Sequence, residues 1–340
     1  MRDFHGISVE SPLYLVPAPM RTLPLLSLLI LAAVGVFLLA LTTGTQGVEP
    51  LRAWQALAVG GMEREVILAL RLPRALAAFG CGALLALAGA LLQALLRNPL
   101  ADPFVLGISG GAGTLLLLAM LLGASGLMLG LAGLLGAALS LGVLLLLAWR
   151  GGLRPQRLLL AGVILSSAWG AVVTLLLALA PDAPLRGMVF WLMGDLSGAE
   201  PAMAAWPLLG ALFALLLAWP LARGFDALAQ GELSARALGV PVDRLRVVAL
   251  AIAATATTLV VLVAGSIGFV GLVTPHLLRL AGLRRHRLLL PGCVLGGGTL
   301  LLCADLLARA VVAPLQLPVG AVTAALGAPV FLWLLARSNR

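Results

Sequence analysis

The chain alternates between long apolar stretches and short polar ones, and the apolar stretches predict its main elements. A helix needs about 20 apolar residues to cross a bilayer, and windows without Asp, Glu, Lys or Arg approach or exceed that length along most of the sequence. These windows are Leu23–Thr43, Ala75–Leu96, Phe104–Trp149, Leu158–Pro181, Pro201–Ala222, Val247–Leu278, Leu288–Ala304 and Ala310–Ala336. We therefore expect an all-α integral membrane protein.

Two of these windows are too long for one crossing, and both contain paired glycines. The third window is expected to divide at Gly123–Gly126 and the sixth at Gly265–Gly268, because glycines between apolar runs mark turns. The pattern then predicts about ten transmembrane helices. The eighth, from about Gly271 to Gly282, is short and contains Pro275, which is typical of a helix that is buried in protein or lines a cavity.

The composition agrees with a membrane protein and excludes other classes. Hydrophobic residues make up 62% of the chain and charged residues 10%, with a mean hydropathy of +1.13. All 22 basic residues are arginines, but they are scattered between apolar runs, so no nucleic-acid partner is expected. Cys81, Cys293 and Cys303 lie in apolar runs without metal-ligand spacing, and the three histidines are far apart, so no metal site is expected.

The distribution of arginines predicts the orientation. With both termini in the cytoplasm, sixteen arginines fall on the cytoplasmic side, as the positive-inside rule requires. The six on the outer side are Arg52, Arg64, Arg71, Arg74, Arg186 and Arg309. Residues 1–22 carry Asp3 and Glu10 without a cleavage pattern, so we expect a cytoplasmic tail there rather than a signal peptide. Residues 23–340 would then form a single ten-span domain.

The same topology predicts an inverted repeat. Spans two to five would begin outside and spans seven to ten inside, as in many transporters. Ala88–Gly89 and Ala264–Gly265 each precede a proline, Pro99 and Pro275, at the same distance. In a chain rich in Gly and Ala, chance explains this match as well as common descent does.

The 40 glycines are clustered in stretches such as Gly107–Gly113 and Gly296–Gly298. The first stretch superficially resembles a phosphate-binding loop, but no strand is predicted before it and the chain contains no lysine. Small residues spaced three or four apart allow close helix packing in lipid. We therefore expect these stretches to be packing faces.

The longest cytoplasmic connection, Arg223–Arg246, is far longer than the roughly 2 to 8 residues that join most neighbouring helices. Gly231 and Gly239 are expected to divide it into two short helices, with Pro241 ending the second. Helical spacing would place four apolar residues on one face: Leu228, Leu233, Ala237 and Leu238. The connection indicates a docking surface for a soluble partner; the alternative is an amphipathic segment lying on lipid headgroups.

Several motifs follow one another along the chain: RLPRAL (71–76), RNPLADPFVLGISGGAG (97–113), RLLLAGV (157–163), GELSARALG (231–239), GSIGFVGLVTPHLLRL (265–280), HRLLLPG (286–292), ADLLAR (304–309) and LPVGAVTAALGAPVFLWLL (317–335). From about residue 23 to the C-terminus, the chain resembles the permeases of bacterial vitamin B12 and iron–siderophore importers, which are type II ATP-binding-cassette (ABC) importers. The resemblance implies a type II importer permease fold in the bacterial cytoplasmic membrane. It also implies a homodimer with two cytoplasmic ATPase subunits and one periplasmic or lipid-anchored substrate-binding protein.

The resemblance also assigns residues to the docking of the binding protein. Arg71, Arg74 and Arg309 would face outward and receive its acidic residues, and an arginine–carboxylate pair is strong and directional. The alternative is structural: Arg71 and Arg74 would anchor span two at the outer headgroups, and Arg309 would pair with Asp305 one turn earlier.

On the cytoplasmic side, the resemblance implies that coupling helices at about residues 226–243 contact the ATPase. The residues assigned to this contact are Gly231, Glu232, Ser234, Arg236 and Gly239. The positions of a cytoplasmic gate are Leu100, Arg154, Pro155 and Gln156. The second gate loop departs from the vitamin B12 importer, which has small hydroxyl residues there.

The implied function is import of a metal chelate by alternating access, with cobalamin slightly favoured over iron–siderophore or haem. ATP and Mg would act in the partner ATPase, and this chain would bind no cofactor and have no catalytic residue. The rival hypothesis is an ion-coupled secondary transporter of a small solute. Such a transporter needs carboxylates or histidines in the middle of its spans, and the predicted spans hold essentially none.

Overall fold

A computed structural model describes residues 22–43, 61–149, 154–313 and 315–338, which form helices and connecting turns without a strand among them. The predicted N-terminal tail therefore lies outside the described residues, apart from Thr22. The helices are α1 (Thr22–Thr42), α2 (Met62–Val66), α3 (Leu72–Leu96), α4 (Ile108–Leu121), α5 (Leu127–Trp149), α6 (Pro155–Leu179), α7 (Asp182–Leu192), α8 (Trp206–Ala218), α9 (Ala222–Ala229), α10 (Glu232–Ala237), α11 (Val242–Ala264), α12 (Val270–Leu280), α13 (His286–Ala310) and α14 (Val319–Ser338).

In the described residues, apolar helices occur at all ten places where spans were predicted. Seven helices are long and apolar enough to cross a membrane, and three shorter apolar helices, α4, α12 and α14, bring the number to ten. The breaks expected at Gly123–Gly126 and Gly265–Gly268 both occur, and Pro275 lies inside the short helix α12. The inverted repeat stays a prediction.

The predicted boundaries are wrong wherever charged residues lie inside helices. The window starting at Ala75 belongs to a helical segment that begins at Met62 and contains Arg71 and Arg74. Similarly, α13 runs on to Ala310, and the last helix begins only at Val319, rather than at Ala310. These charges are tolerated because Asp305 pairs with Arg74 of another helix and with Arg309 of its own. The partner from the other helix cannot be recognised from a single window.

Helix α3 is the central element and packs against α8, α11, α12 and α13. Its side chains are almost all buried, and small residues on its surface let the neighbouring backbones approach closely. Gly82 faces Gly297 of α13, and Gly89 faces Gly271 of α12. Gly111 of α4 and Gly136 of α5 meet in the same way, so the predicted use of glycine clusters as packing faces is confirmed.

The proline in α12 leaves a backbone carbonyl without its helical donor, and a side chain of α3 supplies another donor. Pro275 has no N–H to donate to the carbonyl of Gly271, four residues earlier. The buried side-chain amide of Gln93 donates to that carbonyl over 3.4 Å and to the carbonyl of Leu272 over 3.2 Å. Arg279 in turn donates to the amide oxygen of Gln93. A single side chain of α3 thus stabilises the interrupted helix.

One helix, α7, lies between the fifth and sixth predicted spans, where no element was predicted. α7 follows α6 directly, and its C-terminal turn joins two other spans. The N–H of Ser266 donates to the carbonyl of Trp191 over 3.4 Å, and the N–H of Gly320 donates to the carbonyl of Gly194 over 3.2 Å. Gly194 has a φ of +74°, which favours glycine. The end of α7 therefore connects the α11–α12 break to the start of α14.

We expect Gly82→Ala to destabilise the protein, because the new methyl group would overlap the backbone carbonyl of Gly297 and separate α3 from α13. Overpacking of this kind costs about 1–3 kcal/mol, and thermal unfolding of the purified protein in detergent measures it. Gly142→Ala in α5 is the matched control, since a methyl group there meets no atom within 4 Å. Equal thermal stability of the two variants would contradict close packing at Gly82.

Candidate docking and coupling sites

Four charged residues, Arg71, Arg74, Asp305 and Arg309, form a buried group that we call the arginine cluster. Asp305 of α13 is fully buried, and Arg74 of α3 places its Nε and Nη2 atoms 2.9 and 2.8 Å from Asp305 Oδ1. Arg309, one turn later, places Nη2 3.0 Å from Oδ2. Asp305 thus joins α13 to α3 through Arg74 and pairs with Arg309 of its own helix, which leaves the cluster with an excess of positive charge.

Arg71 connects the central helical segment to α1. It ends a π-helical turn, Ile67–Arg71, that lies just before Pro73, and such turns are frequent at functional sites. Its Nη1 atom donates to the carbonyls of Leu41 and Thr42 over 3.0 and 2.9 Å. These carbonyls belong to the last turn of α1, where helices leave acceptors unsatisfied. Arg71 therefore fixes α1 beside the central helix.

The three arginines are less exposed than a free docking surface requires: 7% for Arg71, 8% for Arg74 and 6% for Arg309. The structural alternative for Arg309, pairing with Asp305 one turn earlier, is confirmed. The contribution of Arg74 to the same carboxylate was not predicted, because 231 residues separate the partners in sequence. Docking of a binding protein stays a prediction.

At the other end of the molecule, α9 and α10 form the predicted pair of short helices. We call these two helices, together with the turns that lead up to Val242, the coupling segment. The division at Gly231 and Gly239 is confirmed. Their φ angles are +125° and +79°, a conformation that side-chain-bearing residues rarely adopt. Glycine at these two positions therefore sets the path of the segment.

Ion pairs hold the coupling segment to α11. Glu232 Oε2 lies 2.7 Å from Nη2 of Arg246, which is 1% exposed, and Glu232 Oε1 lies 3.0 Å from Nη2 of Arg236. The same Arg236 nitrogen lies 3.0 Å from Asp243 Oδ2. The hydrogen bond from Arg246 lowers the pKa of Glu232 below its ordinary value, so Glu232 remains charged at neutral pH and α10 remains attached. Asp243 and Arg246 were not predicted as site residues.

The predicted apolar face of this segment is wrong in part. Leu228 is buried in the core, whereas Leu233 and Leu238 are 86% and 68% exposed. The turn at Gly231 lies between Leu228 and Leu233, so helical spacing does not continue from α9 into α10. Ser234 and Ala237 are also exposed. α10 therefore presents two leucines on its outer surface.

A second contact ties the coupling segment to α13. The carboxylate of Asp226 in α9 accepts the backbone N–H of His286 over 3.0 Å and contacts its Nδ1 at 2.7 Å, at the first residue of α13. Asp305 lies 19 residues further along this helix, roughly 28 Å at 1.5 Å per residue. The coupling segment and the arginine cluster therefore lie at opposite ends of α13, as the predicted topology requires.

The predicted gate residues lie where α3 ends and α6 begins. Leu100 is 44% exposed in the turn after α3, and its N–H donates to Asn98 Oδ1 over 2.9 Å. Arg154 precedes α6, Pro155 is its first residue, and Gln156 is exposed. Residues 150–153 of the second gate loop lie outside the described residues. The gating role of these residues stays a prediction.

Comparison with known proteins agrees with this architecture. The model of the FecCD transport family matches residues 29–337. A solved structure described as an inward-facing conformation of a metal-chelate type ABC transporter superimposes with a TM-score of 0.83 and 30% identity, covering 93% of this chain and 99% of that one. A second, PsaBC from Streptococcus pneumoniae in complex with Fab, is 17% identical with a TM-score of 0.56 over 84% of this chain and 94% of that one, and supports the fold alone.

Curated relatives cover almost the whole chain. The vitamin B12 import system permease protein BtuC of Escherichia coli K12 (DH10B) is 42% identical over 332 residues, which are 94% of this chain and 96% of the relative. The same protein from Escherichia coli O1:K1 matches equally. These comparisons confirm the predicted type II ABC importer permease fold. The chain belongs to the FecCD transport family.

Proposed function

We propose that this chain is the permease subunit of an ABC importer that moves a metal chelate, with cobalamin favoured, into the cytoplasm across the bacterial cytoplasmic membrane. The observation that carries this proposal is the 42% identity to vitamin B12 permeases over 94% of the chain. Two copies would assemble with two ATPase subunits and one substrate-binding protein. ATP and Mg would act in the ATPase subunits.

The coupling segment supports an ATPase partner. Glu232, Arg236 and the buried Arg246 fix α10 to α11, while Leu233 and Leu238 remain exposed. Exposed apolar side chains on a rigid element are typical of a protein interface. Gly231 and Gly239 would set the segment in the ATPase groove, and Ser234 would add a polar contact.

The arginine cluster, at the opposite end, supports an acidic partner. Two guanidinium groups share one carboxylate, and the charge of Arg71 acts on Arg309 beside them, so the surface above the cluster would have a positive potential that attracts an acidic protein. Arg71, Arg74 and Arg309 would therefore steer and orient the binding protein, while Asp305 holds the cluster together.

Alternating access would follow from these two attachments. Closure of the ATPase pair would move both coupling segments, and with them α11 and α13, so that the path opens on one side at a time. Leu100 and the loop at Arg154, Pro155 and Gln156 would narrow the cytoplasmic end of the path. The chain would move its substrate without a covalent step.

The complex of this chain with its cognate ATPase and binding protein, reconstituted in proteoliposomes, should take up radiolabelled cyanocobalamin only when ATP is present. Ferric hydroxamate and haem are the competing substrates. ATP-dependent uptake of either one without cobalamin would change the substrate assignment. Uptake driven by an ion gradient without the ATPase would instead support a secondary transporter.

Asp305→Asn should lower thermal stability, because it removes the carboxylate paired with two buried arginines. It should also make the binding of the substrate-binding protein stronger and more salt-dependent, because it keeps the side-chain shape and adds to the excess positive charge. Arg71→Gln should weaken the binding. The affinity of the purified binding protein for the permease–ATPase complex, measured at low and high salt, tests both.

Arg186→Gln is the matched control for loss of an arginine, since Arg186 is exposed on α7 and stacks on Phe190 at 5.9 Å. The docking role would be contradicted if Asp305→Asn lowered thermal stability and left the affinity at both salt concentrations unchanged.

Leu233→Asp should reduce co-purification of the ATPase about tenfold, because a charged group replaces an exposed apolar contact at the centre of the interface. Thermal stability of the chain should not change, since Leu233 is 86% exposed. Leu100→Asp, at the same end but outside the coupling segment, is the control and should retain the ATPase. Wild-type co-purification of Leu233→Asp would remove the coupling role.

A further inference from the structure

An apolar groove on the outside of the helix bundle runs between α8 and α11 and takes no part in the proposed transport mechanism. It encloses about 320 Å³, and α3 contributes only Leu84 to its lining. Small residues line it, including Ala214 of α8 and Ala251 of α11. Larger side chains, Phe213 and Val248 among them, also line it and are 63% and 42% exposed.

The length of this groove matches one leaflet of a bilayer. Its lining on α11 runs from Val247 to Leu259, which is roughly 18 Å of helix at 1.5 Å per residue. Half of the hydrocarbon core is about 15 Å. At the far end, Leu259 closes against Gly210 of α8. The groove thus has the length and the apolar lining that a single acyl chain requires.

Arginines lie at the open end. Arg244 is one turn before Val247 and Val248 on α11, and its side chain is exposed. Arg223 of α9 is also exposed, and its neighbour Gly224 packs against Leu245, so both arginines lie at the same end of the groove. Neither guanidinium has a hydrogen-bond or ion-pair partner in the part of the chain that the structure describes.

A tryptophan marks the level of the membrane surface at this end. Trp219 follows α8 two residues after Leu217 of the groove and is 47% exposed. Its indole N–H donates to the carbonyl of Arg287 over 3.1 Å, and the Arg287 guanidinium lies 5.2 Å from the ring centre. Trp and Arg side chains together are typical of the headgroup region.

We infer that the groove binds one acyl chain of an anionic phospholipid, whose phosphate is held by Arg244 and Arg223. Guanidinium groups bind phosphate oxygens through paired hydrogen bonds, and basic residues at the end of a span favour anionic lipid. The groove supplies the apolar contact and the arginines select the headgroup. This lipid is a structural ligand and is distinct from the transported substrate.

Native mass spectrometry of the permease–ATPase complex tests this, with phosphatidylglycerol and phosphatidylcholine of the same acyl chains as probes. The wild type should retain phosphatidylglycerol in preference to phosphatidylcholine. The double variant Arg223→Gln/Arg244→Gln should lower that retention about tenfold. The matched control Arg157→Gln/Arg284→Gln removes two exposed arginines elsewhere and should retain the lipid.

A second variant separates the groove from the charges. Ala251→Trp fills the groove while both arginines remain, and it should lower the retention of phosphatidylglycerol. The inference is overturned if the two double variants retain equal amounts of lipid, or if wild type shows no headgroup preference. It is also overturned if Phe213→Cys forms a disulfide with Phe213→Cys of a second copy in membranes, since the groove would then be covered by protein.

Discussion

The pairing of Asp305 with Arg74 and Arg309 is the interaction on which the arrangement of the central helices depends. A fully buried carboxylate in an apolar bundle is tolerated only with opposite charges in direct contact, and here they come from α3 and from the next turn of α13. The first residue of α13, His286, is held by Asp226. Both ends of this long helix are therefore fixed by polar contacts, whereas its middle depends on the close approach of Gly82 and Gly297.

The same requirement, that every polar group away from water finds a partner within the protein, explains the interrupted helix α12. Pro275 leaves the carbonyl of Gly271 without its helical N–H donor, and the side-chain amide of Gln93, on a neighbouring helix, donates to that carbonyl instead. Because Gln93 also accepts a hydrogen bond from Arg279, the short helix is bound to α3 at both its break and its last turn. A break of this kind is thus compatible with a firmly packed helix, because a side chain of α3 replaces the hydrogen bond that Pro275 cannot make.

The class, the places of ten apolar helices and the two-helix coupling segment could be predicted from the sequence, because each depends on local features: apolar length, paired glycines, and a polar connection too long for a simple turn. Sequence reasoning failed where a residue's state depends on distant partners. Arg74 lies inside a helix because of Asp305, and Arg246 is buried because of Glu232. Leu228 is buried and Leu233 exposed because a glycine turn between them changes the helix direction. The helix α7 was missed because its polar first turn resembles a loop.

The charged contacts that hold the coupling segment to α11 and α13 also constrain how the molecule can move. Moving α10 away from α11 is unfavourable, because departure of Glu232 would leave the buried Arg246 with Asp243, 3.7 Å away, as its remaining ion-pair partner. The base of α11 must therefore follow α10. Asp226 imposes the same condition on the start of α13, and α13 carries Asp305 at its other end. Under the proposed mechanism, a force applied to the coupling segment would therefore be transmitted as rigid movement of two long helices rather than absorbed by local rearrangement.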